Sequence, residues 1–527
     1  MSTAAGDVSA AMETPDTSTQ KDPLSYIMPL GFAYYASTRS LSPGLYQILV
    51  DRCWRRSGTL LYRPNQRNAC CPHYTIRLDS HSYSASRDQR QTLNRFNRFV
   101  IGEAYAKEAA RAHPRSREEM KRRETTFDLI ERVHEAESSK LPPISPRKRG
   151  KSSKAKRDDN DSAQPVSTTT QAAVSESADL AKSTEPAHRF EVTLEPDTYT
   201  DEKYAVFENY QRIVHKEPPS KISKKGFANF LCNSPIRREM HTDDQGRQRQ
   251  LGSFHQCYRL DGRLVAIGVL DLLPECVSSV YFLYHESIHT HSPGKLSAMR
   301  EIALARELNY RWWYSGYYIH GCPKMRYKLD FLPQYVLDPE LVASWDLLDK
   351  KALETFDKQA YVSFSHERVM AYKRQMDDLR AKGTPHKYDI FAMGEALSFH
   401  SGSRTTASTT TSGGNVSMDG GSEQQTAGQT GATANDEDSD EDGNLPLFTS
   451  NMPGLPTMND IENYWLDELP IFTSHQPEMF PIKHLVAWGE GSYIDNESFK
   501  NKVAELVAML GSDLRDRLCV DFRRHSN

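Results

Sequence analysis

The chain has 527 residues and a formal net charge of −4, from 66 Lys and Arg against 70 Asp and Glu. Hydrophobic residues make up only 38% and the mean hydropathy is −0.67, which is polar for a globular chain. The 25 Tyr, 20 Phe and 6 Trp are nevertheless too many for a disordered chain. We therefore expect folded domains separated by polar segments.

The sequence also bears on the cellular environment. No run approaches the roughly 18 consecutive apolar residues of a membrane span, and the N-terminal residues lack the pattern of a secretory signal. The 8 Cys are sparse and irregularly spaced, which favours a reduced intracellular compartment over a disulfide scaffold. Near-neutral net charge does not exclude nucleic acid as a partner, because opposite charges are segregated along the chain.

Composition divides the chain into six segments: a disordered tail over 1–22, an N-terminal domain over 24–133, a basic and then Ser/Thr-rich linker over 134–188, a dense domain over 190–400, a disordered low-complexity insertion with an acidic run over 401–444, and a last ordered part over 445–527 that we expect to pack on the dense domain. The basic run Lys140–Arg157 is typical of a nuclear localisation signal, of a nonspecific nucleic-acid contact and of a solvated linker.

The dense domain carries the clearest secondary-structure signals. Apolar spacing, β-rich runs and an Asp261-Gly262 turn predict, in chain order, a helix over Asp201–Glu217, strands over Phe254–Leu260, Arg263–Asp271 and Val277–Tyr284, a helix over Leu296–Leu308 and a strand over Trp312–Ile319. A further helix is predicted near Phe499–Leu510.

This order of elements resembles the acyl-CoA N-acyltransferase (GNAT) core. In that core, an antiparallel sheet leads into a helix whose N-terminus attracts phosphates through its free N–H groups and its dipole. The predicted fold class is therefore α+β, with a GNAT-like mixed sheet, a small N-terminal Cys-containing domain and disordered linkers. Any other mixed α+β sheet domain would account for the same order.

Three motifs have both a functional and a structural interpretation. Cys70-Cys71-Pro72-His73 suits part of a metal site, although buried thiols would account for it as well. Arg52–Gly58 places basic residues around a Trp, as in a phosphate grip or an ordinary surface turn. Gly321–Lys328 places cations after a buried strand, as in an anion site or a solvated loop.

Together these blocks resemble the eukaryotic arginyl-tRNA–protein transferases of the N-degron pathway, in their fungal form. The match covers most of residues 24–80 and 198–340. It is carried by CWRRSGTLLYRPNQRNACCPHYTIRL, TYTDEKYAVFENYQRIVH, FANFLCNSP, HQCY, GRLVAIGVLDLLPECVSSVYFLY, SPGKLSAMREI and GYYIHGCPKMRYK.

The resemblance implies that arginine passes from the 3′ ester of Arg-tRNA to the N-terminal α-amine of proteins that begin with Asp, Glu or oxidised Cys, marking them for ubiquitin-dependent degradation. We expect a cytoplasmic monomer without a membrane partner, and the basic run Lys140–Arg157 allows a nuclear location as well. An α-amine has a pKa of about 7.7–8.0 and the ester is already activated, so positioning and oxyanion stabilisation suffice. No cofactor and no cysteine acyl-enzyme are expected.

The resemblance also yields candidate site residues. The arginyl guanidinium needs a carboxylate, for which Asp271 is the first candidate and Glu275 the second. Cations for the acceptor's acidic side chain are expected among four residues in the matching blocks: His255, Lys295, Lys324 and Arg326.

Three tyrosines suit substrate orientation or oxyanion donation, with core packing as the alternative: Tyr281, Tyr317 and Tyr318. The terminal adenosine and phosphates are expected beside Ser292–Ser297, including Ser297. Arg55 and Arg56 are expected to contact them from the other domain.

One departure from the family pattern concerns metal binding. The family places a CxxC pair upstream of the Cys-Cys pair, and together they bind zinc or an iron–sulfur cluster. Here Pro29-Leu30-Gly31 resembles the lead-in, but the pair is missing, so Cys70 and Cys71 make half a site. A non-catalytic relative that binds tRNA or acidic N-termini is therefore the alternative function, and an acetyltransferase based on strand order is a third.

Overall fold

The computed structural model describes residues 33–144, 185–382 and 447–523, apart from residues 244, 458–459, 462–463 and 475. The predicted tail over 1–22, the Pro29-Leu30-Gly31 lead-in, most of the basic linker and the insertion over 401–444 lie outside these residues.

The described residues form strands β1 to β15, in chain order: Ala33–Ser37, Arg55–Ser57, Leu60–Pro64, Tyr74–Asp79, Phe190–Pro196, Glu239–Thr242, Gln248–Leu260, Arg263–Leu272, Cys276–Tyr284, Trp312–Tyr318, Gln334–Leu337, Trp345–Leu347, Pro470–Thr473, Gln476–Pro481 and Val520–Asp521. The α-helices, α1 to α13, are Pro43–Val50, Arg87–Ile101, Glu103–Ala112, Arg117–Thr125, Leu129–His134, Asp201–Ile213, Lys224–Phe227, Pro293–Glu307, Pro323–Arg326, Lys350–Phe356, Phe364–Ala381, Val486–Gly489 and Phe499–Leu510.

The central feature is a nine-stranded sheet in the order β12-β11-β4-β10-β9-β8-β7-β5, with β6 paired to β7. Strand β4 belongs to the predicted N-terminal domain, yet it lies between β10 and β11 and pairs antiparallel with both. Its Ile76 and Leu78 are fully buried. The segments predicted as separate domains over 24–133 and 190–400 therefore share one sheet.

The elements predicted for the dense region are confirmed. Asp261 and Gly262 have φ values of 52° and 78°, so both lie in the left-handed region that a type I′ turn between β7 and β8 requires. Strand β7 begins at Gln248, earlier than predicted, because its polar first residues pair with β6. Helix α8 connects β9 to β10, which run parallel.

Helices cover both faces of the sheet. On one face α8 packs with α2 and α5 over a core that includes Met299, Ile302 and Trp313. On the other face α6 and α7 cover β7 to β9 through Phe207 and Phe227. The structure thus confirms an α+β fold, with α8 held against the sheet by its apolar side.

The last ordered segment joins the N-terminal part to the sheet. Helix α13, predicted and confirmed over Phe499–Leu510, packs into one core with α1 and with Trp312 and Tyr314 of β10. Trp54 donates its indole N–H to the carbonyl of Met509 at 3.2 Å. Within the described ranges, no helix has the length and apolar content that a membrane crossing needs.

The shared sheet predicts that residues 185–527 cannot fold alone. Without β4, strands β10 and β11 would each lack a hydrogen-bonded neighbour, and the core beneath Ile76 and Leu78 would be exposed. We expect this fragment to lack a cooperative thermal transition by circular dichroism, and co-expressed residues 33–144 to restore one. A cooperative transition of 185–527 alone, at the temperature of the full chain, would contradict the shared sheet.

Candidate functional site

The parallel strands β9 and β10 part after three residue pairs. They are paired at Cys276–Trp312, Val277–Trp313 and Ser278–Tyr314, and beyond these the register between β10 and β4 shifts between Tyr314 and Tyr317. Gly316, at the shift, has a φ of 79°, which a residue with a Cβ rarely adopts. The parting leaves a gap in the sheet between Ser279 on β9 and Ser315 to Tyr317 on β10, and these residues are partly exposed.

The side chain of Lys328 lies in this gap. Its Nζ donates to the carbonyl oxygens of Ser315 at 2.7 Å and Tyr317 at 2.6 Å. These residues lie beyond the last β9–β10 pair, so the lysine supplies hydrogen bonds where β9 does not pair with β10. Burial, and then the positive charge of Arg55, lower the pKa of Lys328 to about 7. Cys322 and Glu301 act on the pKa of Lys328 in the opposite direction. Burial, with the charge of Lys328 as a lesser cause, lowers the pKa of His73 to about 4.

Glu301 lies beneath the gap, on α8. It is buried, and its carboxylate accepts hydrogen bonds from Ser297 Oγ at 2.6 Å and Trp313 Nε1 at 2.8 Å. Burial raises the pKa of Glu301, although these hydrogen bonds oppose the shift. A buried carboxylate and a buried amine with opposed pKa shifts at a break in a sheet are typical of a functional site.

A cationic and aromatic layer covers the opposite side of the gap. The guanidinium carbon of Arg55 lies 5.0 Å from the ring centroid of Tyr317, which also contacts the rings of Tyr62 and His73. Arg55 is buried and donates through Nη1 to the carbonyls of Val50 and Trp54, whereas its Nε and Nη2 find no partner among the described residues. This side of the gap therefore carries the positive charge of Arg55.

The arrangement suits proton transfer from an attacking amine. At neutral pH a large fraction of Lys328 is unprotonated, so its Nζ can accept a proton while two N–H bonds stay on the carbonyls. The nearby positive charge of Arg55 stabilises negative charge that develops on a carbonyl oxygen in the gap.

Asp271 is not available for a substrate guanidinium, which corrects the first site prediction. Its carboxylate binds Arg56 in a bidentate pair, with Nε to Oδ2 at 2.8 Å and Nη2 to Oδ1 at 2.6 Å, and it accepts from Ser253 Oγ at 2.5 Å. Both side chains are almost completely buried. Arg56 therefore binds a buried carboxylate of the protein itself. For the same reason, its guanidinium is not available for the predicted contact with a phosphate.

His255 cannot supply the predicted cation. It is fully buried on β7, and its Nε2 donates to the carbonyl of Leu231 at 3.0 Å. Burial, with Lys203 second, lowers the pKa of His255 to about 4, so the ring is neutral near pH 7.

The three predicted tyrosines do not converge. Tyr317 borders the gap, where its hydroxyl donates to the carbonyl of Cys53 at 2.7 Å. Tyr281 faces α6 and shares a hydrogen bond with His215, whereas Tyr318 is buried and bonds His320 at 2.7 Å. Core packing accounts for Tyr281 and Tyr318, while Tyr317 keeps a position from which it can touch a substrate.

The residues predicted near the start of α8 are already paired. Ser297 donates to Glu301 inside the helix, and Lys295 binds Asp88 of α2 at 2.6 Å. Neither is free to contact a phosphate in this structure.

The other predicted binding residues lie apart from one another. Glu275 is exposed in the turn before β9, at the end of that strand opposite the gap. Arg326 is exposed and donates to the carbonyl of His320 at 3.4 Å, and the side chain of Lys324 lies outside the described part of the chain.

The predicted metal ligands provide only two thiols. Cys70 and Cys71 are exposed, and their sulfurs lie 3.2 Å apart. Within the described ranges, no group of three or more His, Cys, Asp or Glu side chains is arranged to hold a metal. These residues do not fit the four-ligand set of a structural zinc site, and no chemical step is assigned to a metal here.

Sequence reasoning missed Lys328 and Glu301. Lys328 belongs to the Gly321–Lys328 block, where it resembles one more loop cation. Glu301 lies among buried residues of α8 such as Ala298 and Ile302, and a carboxylate among buried neighbours is the signal that would have singled it out. Their proximity depends on the strand break, which no local pattern indicates.

The Arg56–Asp271 pair predicts a stability effect. Asp271→Asn leaves the guanidinium buried without its charge partner, so we expect the free energy of unfolding to fall by about 3–5 kcal/mol in denaturant titrations. Arg56→Leu should cost a similar amount. The double variant Arg56→Leu/Asp271→Leu should be more stable than either single variant, because no unpaired charge remains. Unchanged stability of Asp271→Asn would contradict the structural role.

Two family models match the chain. Residues 15–91 match the model described as arginine-tRNA-protein transferase, N terminus, and residues 202–338 match the corresponding C-terminus model. The first match includes β4 and Arg55, and the second includes β9, α8, β10 and Lys328. The two matched segments therefore meet at the gap.

Curated relatives agree with these models. An aspartate/glutamate leucyltransferase from Aeromonas hydrophila is 29% identical over 154 residues, which cover 28% of this chain and 56% of the relative. Arginyl-tRNA–protein transferase 1 from Saccharomyces cerevisiae is 27% identical over 301 residues, covering 54% of this chain and 47% of the relative. Arginyl-tRNA–protein transferase 1 from Drosophila melanogaster is 31% identical over 361 residues, covering 56% of this chain and 73% of the relative. The chain thus belongs to the arginyl-tRNA–protein transferase family of aminoacyltransferase enzymes.

Proposed function

We propose that the chain transfers arginine from Arg-tRNA to the N-terminal α-amine of proteins that begin with Asp, Glu or oxidised Cys, and thereby marks them for degradation. The observation that carries the proposal is the gap between β9 and β10, with Lys328 inside it and Arg55 beside it. The names of the eukaryotic relatives support arginine transfer from tRNA to proteins.

The fold supports a GNAT-like core for this reaction. Antiparallel β7, β8 and β9 lead into α8, and α8 leads into β10, which first pairs with β9 and then diverges from it. We infer that the aminoacyl ester enters where the strands diverge, because only there is the edge of β10 released from a strand partner on the β9 side.

In the proposed step the acceptor's α-amine nitrogen attacks the carbonyl carbon of the arginyl ester. A C–N bond forms, and the proton released by the amine passes to Lys328 Nζ. The C–O bond to the ribose then breaks, and the ribose oxygen leaves with a proton returned from Lys328. Arg55 is placed to stabilise the intermediate oxyanion by its charge. No covalent enzyme intermediate is used.

The class of acceptor is supported by the bacterial relatives. They are named aspartate/glutamate leucyltransferases, and the shared 154 residues cover 28% of this chain. Their name pairs aspartate or glutamate with the transfer of leucine, whereas the names of the eukaryotic relatives pair arginyl-tRNA with protein. We infer that this chain also acts on acidic N-termini, that it works in the cytoplasm as a monomer, and that the run Lys140–Arg157 supplies a nuclear address.

A second candidate is a non-catalytic relative that binds tRNA or acidic N-termini without transfer. It is favoured by the incomplete metal site, because Cys70 and Cys71 offer only two thiols. Buried Lys328 and Glu301 favour the enzyme, since a binding module has no use for an amine with a pKa of about 7 inside its sheet.

Transfer of labelled arginine from Arg-tRNA to peptides tests the proposal. We expect labelling of peptides that begin with Asp or Glu, and none of an N-acetylated Asp peptide or of one that begins with Asn. Leu-tRNA and acetyl-CoA serve as alternative donors. Labelling from Leu-tRNA alone would replace arginine with leucine, and no labelling despite binding of Arg-tRNA would favour the non-catalytic relative.

Lys328→Met should lower the transfer rate by about 10²–10⁴-fold, because it removes the proton acceptor. In single-turnover rates of the unmodified chain we expect a limb that rises through pH 7, where Lys328 loses its proton. This limb should vanish in Lys328→Met, which leaves the titration of the acceptor's amine at about 7.7–8.0.

Two variants separate chemistry from folding in that experiment. Lys328→Arg keeps a donor for the two carbonyls but stays protonated, so it should fold and remain inactive. Lys350→Met, at a side chain that is 92% exposed on α10, should behave as the unmodified chain does. Full activity of Lys328→Met with an unchanged pH profile would remove Lys328 from the mechanism.

A further inference from the structure

Helix α2 presents an arginine-rich face to solvent. Arg87, Arg90, Arg95 and Arg98 are all exposed, at spacings that place them on one side of the helix. The opposite side is buried against the sheet and α8 through apolar residues that include Leu93 and Phe96. Packing therefore fixes the direction in which the arginines point, and the row is about 17 Å long at 1.5 Å rise per residue.

The α2 arginines differ from those of the helices that follow. Among the described residues, four of the five arginines of α3 to α5 bind glutamates, with Arg117 as the exception; the pairs are Arg111–Glu108, Arg122–Glu131, Arg123–Glu131, Arg123–Glu135 and Arg132–Glu135. In that same part of the chain, no ion pair is formed by the four α2 arginines. Asp88, the acidic residue of α2, is taken by Lys295 at 2.6 Å. The positive charge of this face is therefore uncompensated.

Helix α2 contacts elements that flank the gap, through side chains other than these arginines. Gln89, between Arg87 and Arg90, donates to the carbonyl of Asp330 at 3.0 Å, two residues after Lys328. At the other end, the ring of Phe99 lies 4.4 Å from that of His291, just before α8. An elongated anion on α2 would therefore run alongside the elements that bound the gap.

We propose that the α2 arginine face binds the phosphate backbone of the tRNA and so directs its acceptor end toward the gap. The inference rests on the proposed function. An extended row of unpaired arginines suits a partner with regularly repeated negative charges, and the guanidinium fork binds phosphate oxygens in a bidentate manner. The sequence predicts that Arg55 and Arg56 contact phosphates, but both are buried, so exposed residues elsewhere have to make those contacts.

Binding of deacylated tRNA to the full-length chain tests this directly. We expect Arg95→Gln/Arg98→Gln to weaken binding at least tenfold and to reduce the slope of log K against log salt by about 1 for each phosphate that is no longer neutralised. Arg95→Glu/Arg98→Glu should weaken it further. The matched control is Lys373→Glu/Arg374→Glu, which reverses two exposed charges on α11.

The outcomes separate this inference from the proposed function. Unchanged tRNA affinity and salt slope in the α2 variants, with thermal stability retained, would overturn it even if the unmodified chain transfers arginine. A raised KM for the acidic peptide alone would also overturn it, because the face would then serve the protein acceptor. Weakened tRNA binding in a chain that transfers no arginine would support the α2 face while the proposed function fails.

Discussion

The hydrogen bonds of strand β4 are the constraint on which the rest of this structure depends. They insert a strand from the N-terminal segment between β10 and β11, whose residues lie more than two hundred positions later. Strand β10 is paired with β4 on both sides of its bulge, whereas its pairing with β9 ends at Tyr314, and the gap that holds Lys328 lies beyond that point. The same insertion carries α1 and β2 to the sheet, and with them Arg55 and Arg56. The two halves of the chain thus build one site.

Buried charge is handled in two ways around this sheet. Arg56 and Asp271 neutralise each other in a buried bidentate pair, which leaves neither group for a ligand. Arg55 and Lys328 instead lie near each other, with no carboxylate among the described residues bound to either, and the burial that lowers the pKa of Lys328 keeps it partly neutral. The Arg56–Asp271 pair stabilises the fold, whereas Arg55 and Lys328 are available for a reaction at a carbonyl group.

The prediction of secondary structure succeeded where patterns are local. The Asp261-Gly262 turn, helix α6, helix α8 and helix α13 follow from residue types a few positions apart. The site prediction was weaker, since Asp271, His255 and Ser297 lie in the expected blocks but are turned inward to Arg56, Leu231 and Glu301. Whether a polar side chain faces solvent or a buried partner depends on residues distant in sequence, which no spacing rule contains.

The sequence by itself determined the family and the regular elements, because both depend on residues that are close together in the chain. The family follows from the matching blocks, and the elements follow from the hairpin turn and the apolar spacing of the helices. Only the tertiary structure decided which charges are free. Asp271 is occupied because β2 brings Arg56 against β8, and Lys328 is a proton acceptor candidate because it is buried beyond the end of the β9–β10 ladder, where its Nζ binds the carbonyls of Ser315 and Tyr317. Protonation and availability follow from burial and neighbours in space, and these exist only once the two segments share a sheet.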